Sequence, residues 1–204
     1  MATERGMVKR TALSAFSHPR RAGIIAIRLK KGDSLVSVRM TRDEDDVVVG
    51  TRAGMAIRFP VRDVRLMGRG TRGVKGINLA KGDIVKGMVV VEKGASLLAV
   101  CENGYGKRTN FDAYRRQRRG GKGLINIKTS ARNGKVVAIV DVRESDEIMV
   151  ITTGGMAARM PVSSIREIGR NTQGVRVISL KPEDKVGGIA RVPAEESVQE
   201  EAGE

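Results

Sequence analysis

Apolar residues in this chain fall into short runs, each closed by a turn containing glycine. Asp46-Val-Val-Val-Gly50, Ser96-Leu-Leu-Ala-Val100 and Glu147-Ile-Met-Val-Ile151 are the clearest cases. Runs this short, rich in β-branched residues and bounded by turn signals, predict strands. A second pattern alternates apolar and polar positions: Val74, Ile77 and Leu79, then Val175, Val177 and Leu180 further along. Turn chemistry follows at Lys81-Gly-Asp83 and Lys181-Pro-Glu-Asp184. After the first of these turns another apolar run, Ile84 to Val91, predicts a further strand. Helical periodicity is weak throughout, and Val61 to Met67 has room for one turn at most.

The pattern repeats. Gly6-Met-Val-Lys-Arg10, Gly54-Met-Ala-Ile-Arg58, Gly104-Tyr-Gly-Lys-Arg108 and Gly155-Met-Ala-Ala-Arg159 are spaced by 48, 50 and 51 residues. A second series, Gly23, Gly73, Gly123 and Gly174, is spaced by 50, 50 and 51. Isoleucine follows each of these glycines by four positions, at Ile27, Ile77, Ile127 and Ile178. Asp33, Asp83, Asn133 and Asp184 follow by ten. Four-stranded units repeating at this length predict an all-β, propeller-like array of about four blades, because each unit must stack on a neighbour to bury its face. The repeats run over about 2–44, 45–94, 95–144 and 145–192. Residues 2–6 match 50–54, so the first blade is expected to be incomplete, its missing strand preceding Met1. Four units in an open arc would leave edges exposed, so further repeats are expected ahead of these.

Charge adds a partner to this architecture. The 204 residues hold 38 lysines and arginines against 23 acids, a net charge of +15. Five glutamates and no base lie in residues 193–204, so the first 192 residues carry +20. A body this basic predicts a nucleic-acid partner ahead of an anionic membrane. The acidic segment reads as a disordered tail competing for the same surface. No tryptophan, two tyrosines and three phenylalanines provide little for stacking single-stranded bases. A duplex contacted through its backbone fits better. One cysteine forms no internal disulfide and suits a reducing compartment. No apolar signal core opens the chain, and no apolar run is long enough to span a bilayer. A cytoplasmic, nucleoid-associated protein with no membrane partner is expected.

The cations concentrate in windows that end on the second glycine series. These are Ser17-His-Pro-Arg-Arg-Ala-Gly23, Met67-Gly-Arg-Gly-Thr-Arg-Gly73, Gln117-Arg-Arg-Gly-Gly-Lys-Gly123 and Ile168-Gly-Arg-Asn-Thr-Gln-Gly174. Glycine lets backbone approach a ligand closely, while arginine and lysine bind phosphate. Loops at matching positions on stacked units share a rim, and regular cations along it suit a bent duplex held by its backbone. The candidate contacts are Arg115, Arg116, Gln117, Arg118, Arg119, Gly120, Gly121, Lys122 and Gly123, together with Arg20, Arg21, Arg69, Arg72 and Arg170. Five cations within residues 115–122 repel one another unless a polyanion offsets the cost. The first and fourth windows read equally well as solvated turns. Arg10, Arg58, Arg108 and Arg159 leave two roles open, facing the ligand or covering apolar surface with their stems.

Other constellations are weaker. Gly68-Arg-Gly-Thr-Arg-Gly73 matches the dinucleotide fingerprint, but no helix follows it. Asp43-Glu-Asp-Asp46 could be read as a magnesium cluster, though a solvated turn is the simpler reading. His18 has no metal or acid–base partner, and Cys101 reads as a core residue. Nothing near Tyr105 or Tyr114 would activate a nucleophile. Tyr114 is expected to pack beside the basic loop, within reach of a phosphate. Neither a catalytic residue nor a metal or cofactor site is expected.

Gln117 to Gly123 is identical to the box that marks the C-terminal domain of bacterial DNA gyrase A, and the chain resembles that family over residues 2–192. The resemblance implies a β-pinwheel, with strands exchanged between blades and a basic rim that wraps DNA with positive handedness. It also implies a parent type IIA topoisomerase that introduces negative supercoils. ATP and magnesium would be held on other domains, and the protein partners would be the remainder of gyrase A together with gyrase B. The acidic tail resembles the family's regulatory tail. One departure is that the family's box usually sits in the first blade, whereas here it lies in the third of four repeats. Two alternatives are the related C-terminal domain of topoisomerase IV and a β-propeller scaffold that does not bind DNA.

Overall fold

The computed structural model describes residues 1–194; the expected acidic tail lies outside them, apart from Pro193 and Ala194. Among the described residues, fifteen strands form four sheets. The first repeat contributes β1 (Ala2–Thr3), β2 (Met7–Val8) and β3 (Leu35–Ser37). The second contributes β4 (Asp46–Thr51), β5 (Met55–Pro60), β6 (Val74–Lys75) and β7 (Val85–Val90). From the third come β8 (Ser96–Cys101), β9 (Tyr105–Asn110), β10 (Leu124–Ile125) and β11 (Val136–Val142). The fourth supplies β12 (Glu147–Thr152), β13 (Ala157–Pro161), β14 (Val175–Arg176) and β15 (Val186–Val192). The helical turn anticipated after Val61 is a 3-10 turn, Val61–Asp63.

The strand orders are β3-β1-β2-β6, β10-β5-β4-β7, β11-β8-β9-β14 and β13-β12-β15. The third strand of each later repeat therefore crosses over to close the sheet of the repeat before it, which is the strand exchange of a pinwheel. The end blades are smaller than the middle two among the described residues. In the first blade β1 keeps two residues where β4 has six. In the fourth, the sheet has three strands among the described residues. The alternating segment after each second glycine is shorter as a strand than its sequence predicts. Only Val74 and Lys75 join the ladder, because the next amides, of Gly76 and Ile77, both donate to Gly6 O at 2.8 and 3.3 Å.

Side-chain direction alternates along a strand, and here both faces meet neighbouring blades. Val47 and Val49 of β4 join a core with Ala2 and Val8 of the first blade. Val48, between them, joins Leu97, Ala99 and Cys101 of the third. On β8, Leu98 and Val100 turn the other way, toward Ile148 and Val150 of the fourth. Burial on both sides explains why these strands read as continuous apolar runs. Packing is close where Ile139 enters a notch between Gly50 and Gly87. A Cβ at either glycine would stand 2.8 or 2.9 Å from the Ile139 side chain.

Candidate nucleic-acid interface

One recurring backbone stitch joins each of the last three windows to the blade formed by the preceding repeat. The Met67, Gln117 and Ile168 amides donate to Arg10 O, Arg58 O and Arg108 O, each at 2.9 Å. Each window ends on a glycine with positive φ: 86° at Gly73, 78° at Gly123 and 79° at Gly174. A Cβ on these glycines would fall 2.4, 2.4 and 2.6 Å from the carbonyl oxygens of Val8, Ala56 and Gly106. Glycine is thus required twice over, for its backbone angle and for the close approach. Within the box, Gly120 N donates to Gly76 O at 2.6 Å, and Gly121 O accepts from Asn78 N at 2.8 Å. Gly23 keeps the positive φ, but no atom lies within 4 Å of its would-be Cβ.

The cations of the windows separate into two groups. Arg20, Arg21, Arg72, Arg115, Arg118 and Lys122 are exposed, and none has a carboxylate partner among the described residues. Arg69, Arg119 and Arg170 stand four positions before their glycines and are half-buried. Arg119 donates from Nε to Asp63 O at 2.9 Å and from Nη1 to Lys75 O at 3.0 Å. One repeat later, Arg170 donates to Ala113 O at 2.7 Å and Ile125 O at 3.1 Å. Arg69 reaches Ile25 O at 3.4 Å. These three guanidiniums staple one window to the preceding repeat, whereas the sequence grouped them with the exposed cations. Gln117 is half-buried, and its Nε2 lacks a hydrogen-bond partner among the described residues.

Arg116 is exposed but ion-paired. Its Nε donates to Asp46 Oδ2 at 2.6 Å, and Arg58 Nε donates to the same oxygen at 2.7 Å. The supposed magnesium cluster is therefore a set of arginine partners: Asp46 is buried between two guanidiniums, and Asp43 pairs with Arg10 at 2.7 Å. Arg108 pairs with Glu144 and Arg159 with Glu147. All four guanidiniums are held in intramolecular ion pairs, a role that neither reading of the series named. Arg58 and Arg108 also bridge blades, donating to Phe111 O at 2.9 Å and Ile165 O at 2.5 Å.

Tyr114 is buried rather than placed beside a phosphate. Its hydroxyl donates to Asn126 Oδ1 at 2.6 Å, and burial raises its pKa above the ordinary phenol value. The hydroxyl thus anchors the chain on both sides of the box from within the core. Cys101 is a core residue, as expected, and burial pushes its thiol up to about 12.

Two lysines that the sequence did not single out lie beneath the windows. Lys9 Nζ donates to Ala26 O at 2.6 Å and also to Arg69 O. Lys107 is fully buried, and its Nζ donates to Gly169 O at 2.7 Å. The matching position in the second repeat is Ile57, so an apolar counterpart one repeat away was the available signal. Burial first, and then the Arg170 charge, lowers Lys107 to about 8. A folded pKa below the unfolded value means that the unfolded chain binds more protons between about pH 8 and 10, so folding stability rises with pH across that window. Urea unfolding at pH 7 and pH 9.5 should show this rise in the parent chain. In Lys107→Met the rise should shrink, with stability gained at pH 7; an equal rise in both would mean that the amine is not desolvated.

The family described as DNA gyrase C-terminal domain, beta-propeller, matches residues 1–42, 45–92, 96–143 and 146–193. DNA gyrase A of Salmonella typhimurium is 46% identical over 192 residues, covering 94% of this chain and 22% of that protein. Its counterpart from Haloquadratum walsbyi is 45% identical over 195 residues, covering 95% of this chain and 23% of that protein. The chain thus spans less than a quarter of the length of these relatives. Among solved structures, a DNA gyrase A C-terminal domain superposes with a TM-score of 0.84 at 32% identity, covering 94% of this chain and 64% of that one. The C-terminal domain of a DNA topoisomerase IV superposes with a TM-score of 0.89 at 26% identity, covering 95% of this chain and 61% of that one. With every repeat matched and the third window carrying an intact box, this chain belongs to the DNA gyrase C-terminal domain family of β-propellers.

Proposed function

We propose that this chain binds and wraps duplex DNA without sequence preference, as the C-terminal module of a gyrase A protein that supports ATP-dependent negative supercoiling. The observation that carries this reading is the row of exposed window cations without carboxylate partners among the described residues, which in the second and third windows are held on loops whose backbone is stitched to the adjacent blade. Rigid loops place charge along a rim with little ordering cost on binding, and a curved track suits a duplex bent around it. Recognition on this reading rests on phosphates, which carry no sequence information. The partners are double-stranded DNA, the remainder of gyrase A, and gyrase B. ATP and magnesium belong to domains outside this chain, which itself takes no cofactor, and the setting is the cytoplasmic nucleoid.

Six unpaired window cations set the windows' share of the electrostatics. Counterion release contributes about 0.9 per neutralised phosphate, so the windows by themselves should contribute about −5 to the slope of log affinity against log salt. Fluorescence anisotropy with a random-sequence duplex, titrated across salt, measures that slope. Relaxed closed circles religated with the chain present should gain positive linking difference if the duplex wraps with the family's handedness. Salt-dependent binding with an unchanged topoisomer distribution would leave a DNA-binding module that does not wrap. Absence of duplex binding would favour a scaffold. The superposition on a topoisomerase IV domain supports a second reading, as the related module of that enzyme; the intact box at residues 117–123 favours gyrase.

A further inference from the structure

The cation track thins at the fourth window. Its single cation, Arg170, is tied to Ala113 O and Ile125 O, and Gln173 stands where the second and third windows have Arg72 and Lys122. Arg166, just ahead of the window, has Glu167 as its neighbour. Immediately beyond the window, however, two exposed arginines converge on one aromatic ring. Arg176 on β14 lies opposite Tyr105 on β9 in the ladder. Its Nη2 donates to Tyr105 Oη at 3.2 Å, and its Cζ lies 5.6 Å from the ring centroid. Arg132, from the turn between β10 and β11, places its Cζ 4.7 Å from the same centroid.

Neither guanidinium has a carboxylate partner among the described residues. This separates them from the arginines at 10, 58, 108, 116 and 159, which are all paired. Two like charges drawn to one ring repel each other, and an anion between them relieves that repulsion. The phenol responds in the same sense: the Arg176 hydrogen bond first, and Arg132 second, hold Tyr105 below its ordinary pKa. The corresponding cross-strand pairs in the first and second blades are Met7 with Lys75 and Met55 with Ile125. Only the third blade builds this cluster among the described residues.

We propose that Arg132, Arg176 and Tyr105 form a phosphate-contact station on the outer edge of the third blade, holding the DNA backbone where the fourth window lacks a free cation. The guanidiniums supply charge and paired donors, and the ring orients them. This inference rests on the reading of duplex DNA as the ligand. The test compares the full chain with Arg132→Gln/Arg176→Gln by duplex anisotropy across salt. The expected result is a log–log slope shallower by about 1 to 2, at roughly 0.9 per lost phosphate contact, with an unchanged thermal midpoint because all the groups are at the surface. Arg132→Lys/Arg176→Lys should keep most of the slope, since charge count governs it, and Tyr105→Phe should change it little. A slope equal to that of the parent chain in the glutamine variant, with the fold intact, would overturn this station while leaving the windows as the DNA contact. Should the parent chain show no salt-dependent duplex binding, the ligand reading and this station fall together.

Discussion

Replacing Arg118 and Lys122 with alanine should cost the chain most of its grip on DNA at the box while leaving its stability unchanged. Both side chains are exposed, and neither meets a carboxylate among the described residues. If each neutralises one phosphate, the log–log salt slope becomes shallower by about 1.8, and affinity near 0.1 M salt drops roughly tenfold per contact. Arg119→Ala is the internal control. Its guanidinium is hydrogen-bonded to Asp63 O and Lys75 O, and charge-assisted bonds of this kind are each worth about 1.5–3 kcal/mol. That variant should therefore lose stability and loosen the loop, lowering the thermal midpoint with a smaller change in slope. The two signatures are read from the same protein samples, by anisotropy across salt and by calorimetry. If Arg119→Ala flattened the salt dependence as much as Arg118→Ala, the division between staple and ligand contact would be wrong.

A still larger effect is expected from one methyl group. Gly54 has φ of 87°, and a Cβ there would stand 2.1 Å from Ile127 O. That carbonyl cannot retreat freely, because the Asn126 and Ile127 amides both donate to Gly54 O, at 2.9 and 3.2 Å. Gly54→Ala must therefore break the stitch between the second and third repeats as well as strain its own backbone, a combination expected to cost about 4 kcal/mol or more. Gly155 holds the same place in the last repeat, with φ of 85° and no atom within 4 Å of its would-be Cβ. Gly155→Ala loses only the backbone term, about 1 kcal/mol. Chemical unfolding of the two variants beside the parent chain measures the gap. Equal losses would show that the inter-repeat contact contributes nothing beyond the dihedral.

Much of the architecture was legible because turn chemistry is local. The glycines at 6, 54, 104 and 155 all have positive φ, and no other residue takes that conformation at so little cost, so the repeat is marked wherever the turn recurs. Strands buried on both faces were legible as apolar runs for the same local reason. The strand exchange was not readable from the residues alone. Val74–Lys75 and Leu124–Ile125 look like ordinary members of their own repeats, and pairing with the preceding blade is made by backbone groups, which carry no side-chain signature.

The candidate interface divides in the same way. The basic windows that make it a candidate were legible from glycine spacing and charge density. The roles of individual arginines were not, because Arg119 and Arg118 are the same residue type one position apart. The turn at the box sends one side chain toward the carbonyls of another repeat and leaves the other exposed, and an acceptor oxygen 44 or 56 residues away has no identity in the sequence. Lys107 was missed for a related reason. A lysine between Gly106 and Arg108 reads as surface, and only the stacking of the fourth-repeat window over it makes it interior.

By itself, then, the sequence determined the all-β class, the four repeats, the basic windows and the box, since each is written in local conformation or in net charge. Tertiary structure alone decided which blade each exchanged strand completes, which arginines staple the windows and which stand free, and that Tyr114 and Lys107 support the windows from below. Those outcomes depend on which groups meet across blades, and short-range hydrogen bonding and burial settle that only once the stacking is in place.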